Sequence, residues 1–249
     1  MPVDDDDTRP LTRRERLRRQ TIDEIVQRAL ELVDADGAHG LSLASVGKAV
    51  GMTPPALYHY FASREALLDA LVTAGYTDLG TAVDAAARDA ADGPAPDRLA
   101  AIAHAWRRWA LNHPRRYSML FTGSRRETVD PLESVSTISA SMLALVTTLQ
   151  AIASDAAGPD AGDRSGLDAH AGVGVGVGVG VDQELARWGQ SLGAPMAAPA
   201  TLRLALSTWY RVHGLVSLEI VGAFDTMGLD GERLLAAEVD GLVREAARA

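Results

Sequence analysis

Two adjacent prolines, Pro54 and Pro55, stand between stretches whose apolar residues recur every three to four positions. Proline lacks a backbone N–H and clashes with the preceding turn of a helix. In a strongly helical context a proline pair therefore has one comfortable place, the first turn of a new helix. Thr53 reads as the N-cap of that helix, and Met52 before it can pack on Leu57 and fix the entry angle. Leu57 and Phe61, four apart, point inward. Pro55, Ala56, Tyr58 and His59 are left on the outer face, with Tyr60 at its edge.

The neighbours give this short helix its setting. From Gln20 to Asp36 an apolar stripe runs through Ile22, Ile25, Val26, Ala29, Leu30 and Val33, and Gly37 stands where a left-handed C-cap belongs. Ser42 reads as the N-cap of a second helix that buries Leu43, Val46 and Val50 and ends at Gly51. A helix, a four-residue turn containing glycine and a second short helix make a helix-turn-helix pattern. Ser63 caps a further helix expected to reach about residue 90, where "DGPAP" (92–96) marks a joint between domains.

Beyond the joint the period stays helical. Asp97 is expected to cap a helix carrying Leu99, Ile102, Trp106 and Trp109, which ends at "NHP" (112–114). A short helix through Tyr117 and Phe121 follows, then a longer one over about 130–155. The pattern fails through "SDAAGPDAGDRSGLDAHAG" and the tract "GVGVGVGVGV" (172–181). Glycine at every other position is costly to order and offers nothing to pack, so a flexible insertion over about 156–183 is expected, with a local hairpin as the alternative. Two long helices close the chain, roughly 196–223 and 230–248, and are expected to pair two copies, since Leu202, Leu206, Val216 and Ile220 recur at helical spacing over more area than one small domain needs. The expected fold is all-α: a disordered arm over 1–19, a helix-turn-helix domain over 20–66 and a helical domain over 67–249.

Charge separates the parts. The chain carries a net charge of −9, yet residues 8–64 carry a positive balance and "RPLTRRERLRR" (9–19) holds six arginines against one glutamate. A basic segment heading an acidic protein is an electrostatic footprint for a polyanion, with a solvated terminus as the plainer reading. There is no cysteine, which excludes disulfides and thiolate chemistry. The start "MPVDDDD" has no apolar run behind it and no stretch reaches about 20 apolar residues, so no secretory signal, no membrane partner and a cytoplasmic location are expected.

Residues 20–70, "ALELVDADGAHGLSLASVGKAVGMTPPALYHYFASREALLDAL" among them, resemble a TetR-family transcriptional regulator. The resemblance rests on the first helix, the small-residue turn, the Ser-led second helix, the run G-[MV]-[ST]-x-x-x-[LI]-Y-x-[HY]-F and the capped fourth helix. One departure is that Ala62 stands where such proteins often have lysine, which leaves Arg64 to supply that phosphate contact. The C-terminal half is similar to the subgroup with a Trp-x-x-x-His-Gly signature, here Trp209, His213 and Gly214, alongside "AWRRWALNHPRRYSMLF" (105–121). The resemblance implies a homodimer on double-stranded, inverted-repeat DNA and a small apolar or aromatic effector.

The residues allow the same chemistry on their own account. Tyr58, His59, Pro55 and Ala56 offer surface and hydrogen bonds to base edges or phosphates, with Tyr60 beside them. Ser42, Ser45, Thr53, Lys48 and Arg64 lie at helix ends, where backbone N–H groups also attract phosphate. Trp106, Trp109, Met119, Phe121, Met142, Trp209 and His213, with Tyr117 and Tyr210 near them, are candidates to line an apolar pocket between helices. For each alone, ordinary core packing is the competing reading. No nucleophile elbow, zinc-binding helix or calcium loop is present, so neither an enzyme nor a cofactor is expected. Asp155, Asp160, Asp163, Asp168 and His170 cluster in the loop, where a solvated acidic segment outweighs a metal site. The expected function is a repressor released by its effector. The alternatives are an activator of the same fold, or a DNA binder without an effector.

Overall fold

The first helix begins before its apolar stripe does, at a capping box in Thr12-Arg13-Arg14-Glu15. In the computed structural model, which describes residues 12–121, 131–157 and 175–248, α1 spans Arg13–Asp36. Thr12 Oγ1 accepts from the Glu15 N–H at 3.3 Å, and Glu15 Oε2 accepts from the Thr12 N–H at 2.7 Å. Two orphan donors are thus satisfied at once, and the helix can start on arginines that bury nothing. Residues 13–19, expected in a disordered arm, are helical; residues 1–11 lie outside the described residues. Side chains are described from residue 140 in the second stretch and from residue 180 in the third.

The described residues fall into two compact units. One holds the chain through Gly75 together with Arg115 onward to Phe121; the other holds Tyr76–Pro114 and the described residues from Pro131 on. In the first unit α1 is followed by a 3-10 turn, Ala38–Gly40, then α2, Leu43–Val50, α3, Pro54–Tyr58, and α4, Arg64–Asp89, which continues into the second unit. Its core draws Ile25, Leu30 and Val33 from α1, Val46 from α2, Leu57 and Phe61 from around α3, and Leu67, Leu68 and Leu71 from α4. Gly51 ends α2 in the left-handed region, φ 70 and ψ 24. Gly47 lets the turn fold back on α2: a Cβ there would stand 3.0 Å from the Met52 carbonyl oxygen.

α6, Pro114–Phe121, also belongs to the first unit from Arg115 on. The Arg116 guanidinium, only 8% exposed, pairs with the Asp34 carboxylate, Nη2 to Oδ2 at 2.6 Å and Nε to Oδ1 at 2.9 Å. Arg115 Nη1 donates to the Asp34 carbonyl at 2.9 Å. Leu120 packs against Gly75 so closely that a Cβ on that glycine would stand 3.0 Å from Leu120 Cδ2.

In the second unit α5, Ala95–Asn112, α7, Pro131–Ala157, α9, Pro199–Ile220, and α11, Gly231–Ala246, pack on one another in every pairing. α8, Val175–Ser191, and α10, Ala223–Met227, lie against α9. The N-cap of α5 is Pro94, so Asp97 sits inside the first turn rather than capping it, where its charge still favours the helix dipole. Asp230 does cap α11, accepting from the N–H groups of Glu232 and Arg233. Arg107 ties α5 to the α9–α11 corner, donating from Nε and Nη2 to Glu219 at 2.7 and 2.6 Å and pairing with Glu232. That bond to Glu219 pushes the arginine's pKa up. The Glu232 carboxylate also lies 3.0 Å from His104 Nδ1.

The Gly-Val tract differs from expectation where it is described: α8 already runs through residues 175–181. The second half of that helix is anchored, with Leu185 buried and Gly189 seated against Leu202. Once a helix is nucleated, each added residue gains a hydrogen bond, so it extends back into poor helix formers. Asp160, Asp163, Asp168 and His170 lie outside the described residues, while Asp155 is an exposed residue of α7. The stretch Ala140–Ala157 of α7 is long and apolar enough to cross a membrane by composition, yet its Leu145, Val146 and Leu149 are core residues of the bundle. No strand occurs among the described residues, and the fold is all-α.

Candidate nucleic-acid interface and effector cavity

α3 is five residues long and has two distinct sides. Leu57 is wholly buried and Phe61 nearly so, while Tyr58 is 56% exposed and His59 and Pro55 are exposed beside it. Ala56 is half-buried. Thr53 holds the N-cap position, with φ −71 and ψ 149, but its hydroxyl makes no capping bond. A cap hydroxyl accepts from the N–H of the second or third helical residue; Pro55, second in α3, has none, and the N–H of Ala56, the third, is not bonded to Thr53. The exposed Thr53 hydroxyl therefore remains at the rim of the outward face.

The other candidate contacts divide by what already occupies them. Ser42 and Ser45 form a reciprocal capping pair, each hydroxyl accepting from the other's backbone N–H at 3.1 and 3.0 Å. Lys48 is exposed in the last turn of α2. Arg64 is engaged inside its own unit: Nε donates to the Leu41 carbonyl at 2.7 Å and Nη2 to the Ala38 carbonyl at 3.1 Å. That fastens the turn before α2 to the start of α4 through two of the three guanidinium nitrogens. Tyr60 is half-buried beneath the Arg18 guanidinium, whose central carbon lies 5.3 Å from the ring centroid. Arg18 Nη2 also donates to the His59 carbonyl at 3.1 Å. Sequence reasoning counted Arg18 only as basic charge, because 41 residues separate it from its partner and no local spacing announces the pairing.

In the second unit a cavity of about 30 Å³ lies among α4, α5, α7 and α9, lined by Val83, Ala103, Trp106, Met142, Leu145 and Trp209 among others. That is room for a water or two and far less than a drug-sized ligand fills. Trp106, Met142 and Trp209 thus come together as expected. Trp109 does not join them; its indole N–H donates to Asp78 Oδ2 at 3.1 Å and its ring tilts against His113. Met119 and Phe121 are in the first unit, where Phe121 rests on Tyr117 at 4.6 Å between centroids. His213 stacks on Trp209, centroids 5.8 Å apart and planes 9° from parallel, and burial pushes its pKa below the usual imidazole value. The Trp209 indole N–H is itself buried without a hydrogen-bond partner.

Residues 25–71 match the family described as "Bacterial regulatory proteins, tetR family", and residues 99–242 match "Tetracyclin repressor-like, C-terminal domain". The chain belongs to the TetR family. The crystal structure of the protein SCO4313 is 32% identical, with a TM-score of 0.67 over 93% of this chain and 98% of that one. A protein of unknown function from Rhodococcus sp. RHA1 shares the fold, with a TM-score of 0.61 at 23% identity over 96% of this chain and 97% of that one. The HTH-type transcriptional regulator Rv1816 of Mycobacterium tuberculosis is 40% identical over 85 residues, which is 34% of this chain and 36% of that protein. The aligned region thus spans about a third of the length of that curated relative. The TetR-family matches take in all of α3 and α9, and with them both the outward face of Tyr58 and the Trp209–His213 stack.

Proposed function

We propose that this TetR-family protein is a homodimeric, cytoplasmic repressor that holds an inverted-repeat operator through α3 and releases it when a small apolar effector enters the second unit. The observation that carries the reading is the two-sidedness of α3: a fully buried Leu57 fixes it from below while Tyr58, His59 and the Thr53 hydroxyl stand free above. An exposed aromatic on so short a helix has no packing task, and a docked major groove would give it one. The apolar stripe of α9 left exposed, Leu206, Tyr210 and Leu218, supports pairing with a second copy. Leu202 and Val216, expected on that surface, are instead buried within their own unit because α9 is packed by α5, α7, α8, α10 and α11.

The effector reading rests on the cavity and on Trp209. Its unpartnered N–H costs about 1–3 kcal/mol, which a hydrogen-bond acceptor on an apolar molecule would offset. The small volume of the cavity favours a second reading, a DNA binder that needs no effector. One titration series separates them. DNA selected from a random pool by the protein should lose about 1–3 kcal/mol of binding free energy on Tyr58→Ala, with random DNA little affected. Apolar compounds bearing one acceptor should then weaken the wild-type complex, and Ala103→Val, which fills the cavity, should abolish that response while leaving DNA binding intact. Binding that no such compound alters would leave the effector-free reading; equal binding of selected and random DNA by the wild type would refute the role of α3.

A further inference from the structure

We propose that Arg18 is a positioning residue for the reading helix: it holds the C-terminal end of α3 from α1, so that sequence preference depends on a side chain that touches no base. The inference rests on α3 being the reading element. A helix of five residues cannot persist on its own backbone bonds, and its last carbonyls lack donors within the helix. The His59 carbonyl is one of these, and Arg18 Nη2 supplies the donor at 3.1 Å. A cation at a helix C-terminus also meets the negative end of the backbone dipoles. The same guanidinium lies over the Tyr60 ring, which fixes the chain just past the helix in a second direction. Leu57 and Phe61 secure α3 from beneath and α2 packs beside it, while Arg18 adds a hold on its end from α1.

Two further observations make the assignment specific. A planar guanidinium can donate from its edge while its face covers a ring, which the point charge of a lysine ammonium does less well. Arg18 also acts from a firm base, because the Thr12–Glu15 capping box keeps its segment helical. Had residues 13–19 been a loose arm, the side chain would have to pay the ordering of the backbone as well. Arg14 lines the same groove as Arg18 and Tyr60 and provides the comparison, an exposed arginine on the same helix.

The two roles give opposite signatures. A phosphate contact releases counterions and adds about 0.9 to the slope of log K against log salt, without sequence preference. A positioning residue leaves the slope alone and sharpens preference. With the full chain and pool-selected DNA measured against random DNA, Arg18→Gln should lower the preference about tenfold and leave the salt slope unchanged, while Arg18→Lys restores part of it. Arg14→Gln, which removes one contact from each copy of the dimer, should make the slope shallower by about 1.8 and leave the preference as it was. A slope change of that size in Arg18→Gln, or an unchanged preference, would overturn the proposal. Should the wild type itself show no preference, the role of α3 has failed, and amide exchange in the free protein decides on Arg18. Faster exchange at His59 and Tyr60 in Arg18→Gln, with α2 unaltered, supports the clamp; equal exchange overturns it. Arg18 is exposed, and matching thermal melts of the variants would show that the fold is kept.

Discussion

A proline pair narrows what its own cap can do. It removes one of the two N–H groups that the Thr53 hydroxyl could accept from, and in α3 that hydroxyl makes no capping bond at all. His213 shows the same dependence of a residue on what surrounds it. Burial against the bundle disfavours its cationic form, so its pKa in the folded chain lies below the ordinary 6.5. The unfolded chain then takes up a proton first as pH falls, and stability must drop as pH goes below about 6.5, levelling once the folded imidazole also protonates. Above that value the histidine contributes no pH dependence. Thermal unfolding between pH 8 and 5 should therefore show the wild type losing stability relative to His213→Gln only below about 6.5; parallel curves would mean that the imidazole titrates alike in both states. What was legible at this scale followed local spacing: Leu57 and Phe61 inward, Tyr58 and His59 outward. What was not legible was long-range, as with Arg64, whose bonds to the Ala38 and Leu41 carbonyls no local spacing announces.

At the scale of elements, helical period and caps located most of the helices, but not which neighbours they serve. α6 carries Tyr117, Met119 and Phe121 in a pattern that suits any apolar partner, and the sequence placed it with the pocket. Its assignment to the first unit is settled by Arg116, which reaches Asp34 across 82 residues, a pairing no local pattern contains. Removing one partner of such a pair leaves the other charge poorly hydrated and unmatched. Asp34→Ala should destabilise the protein by about 2–4 kcal/mol, less than for a fully buried pair because Asp34 is partly exposed. The double variant Asp34→Leu with Arg116→Met should recover most of that loss, since a packed apolar pair needs no hydration. Urea denaturation of the three proteins checks both statements. A single variant as stable as the wild type would show that α6 is held by Leu120 and Tyr117 alone. α8 makes the complementary point, for a tract that composition marks as flexible is helical where its continuation is anchored on α9.

At the scale of the molecule the question is what covers α9. Leu206, Tyr210 and Leu218 stand four and eight residues apart on one stripe and are exposed, with Val221 beyond them at 75% exposure. Apolar side chains aligned in this way lose contact with water only if a second surface meets them, and a second copy meets them symmetrically. A lone helix-turn-helix reads few base pairs, so a pair of units on half-sites about one helical turn apart, or a modest multiple, is the arrangement that yields strong specificity. Leu218→Glu should place a charge against its surroundings on both copies at once while disturbing little within one chain, because the side chain is already half in water. The variant should sediment as a monomer at micromolar concentration with an unaltered melting transition at high dilution. Its affinity for the inverted repeat should fall by about 10²–10⁴, since the second half-site is no longer held at high effective concentration. Affinity for a single half-site should not change, and that contrast separates lost pairing from a damaged reading head. Leu202→Ala supplies the opposite control: it opens a cavity in the buried core, costs about 2–5 kcal/mol of stability and should leave association intact where the chain is folded. If Leu218→Glu sediments as the wild type does, the copies meet elsewhere and the stripe on α9 needs another partner.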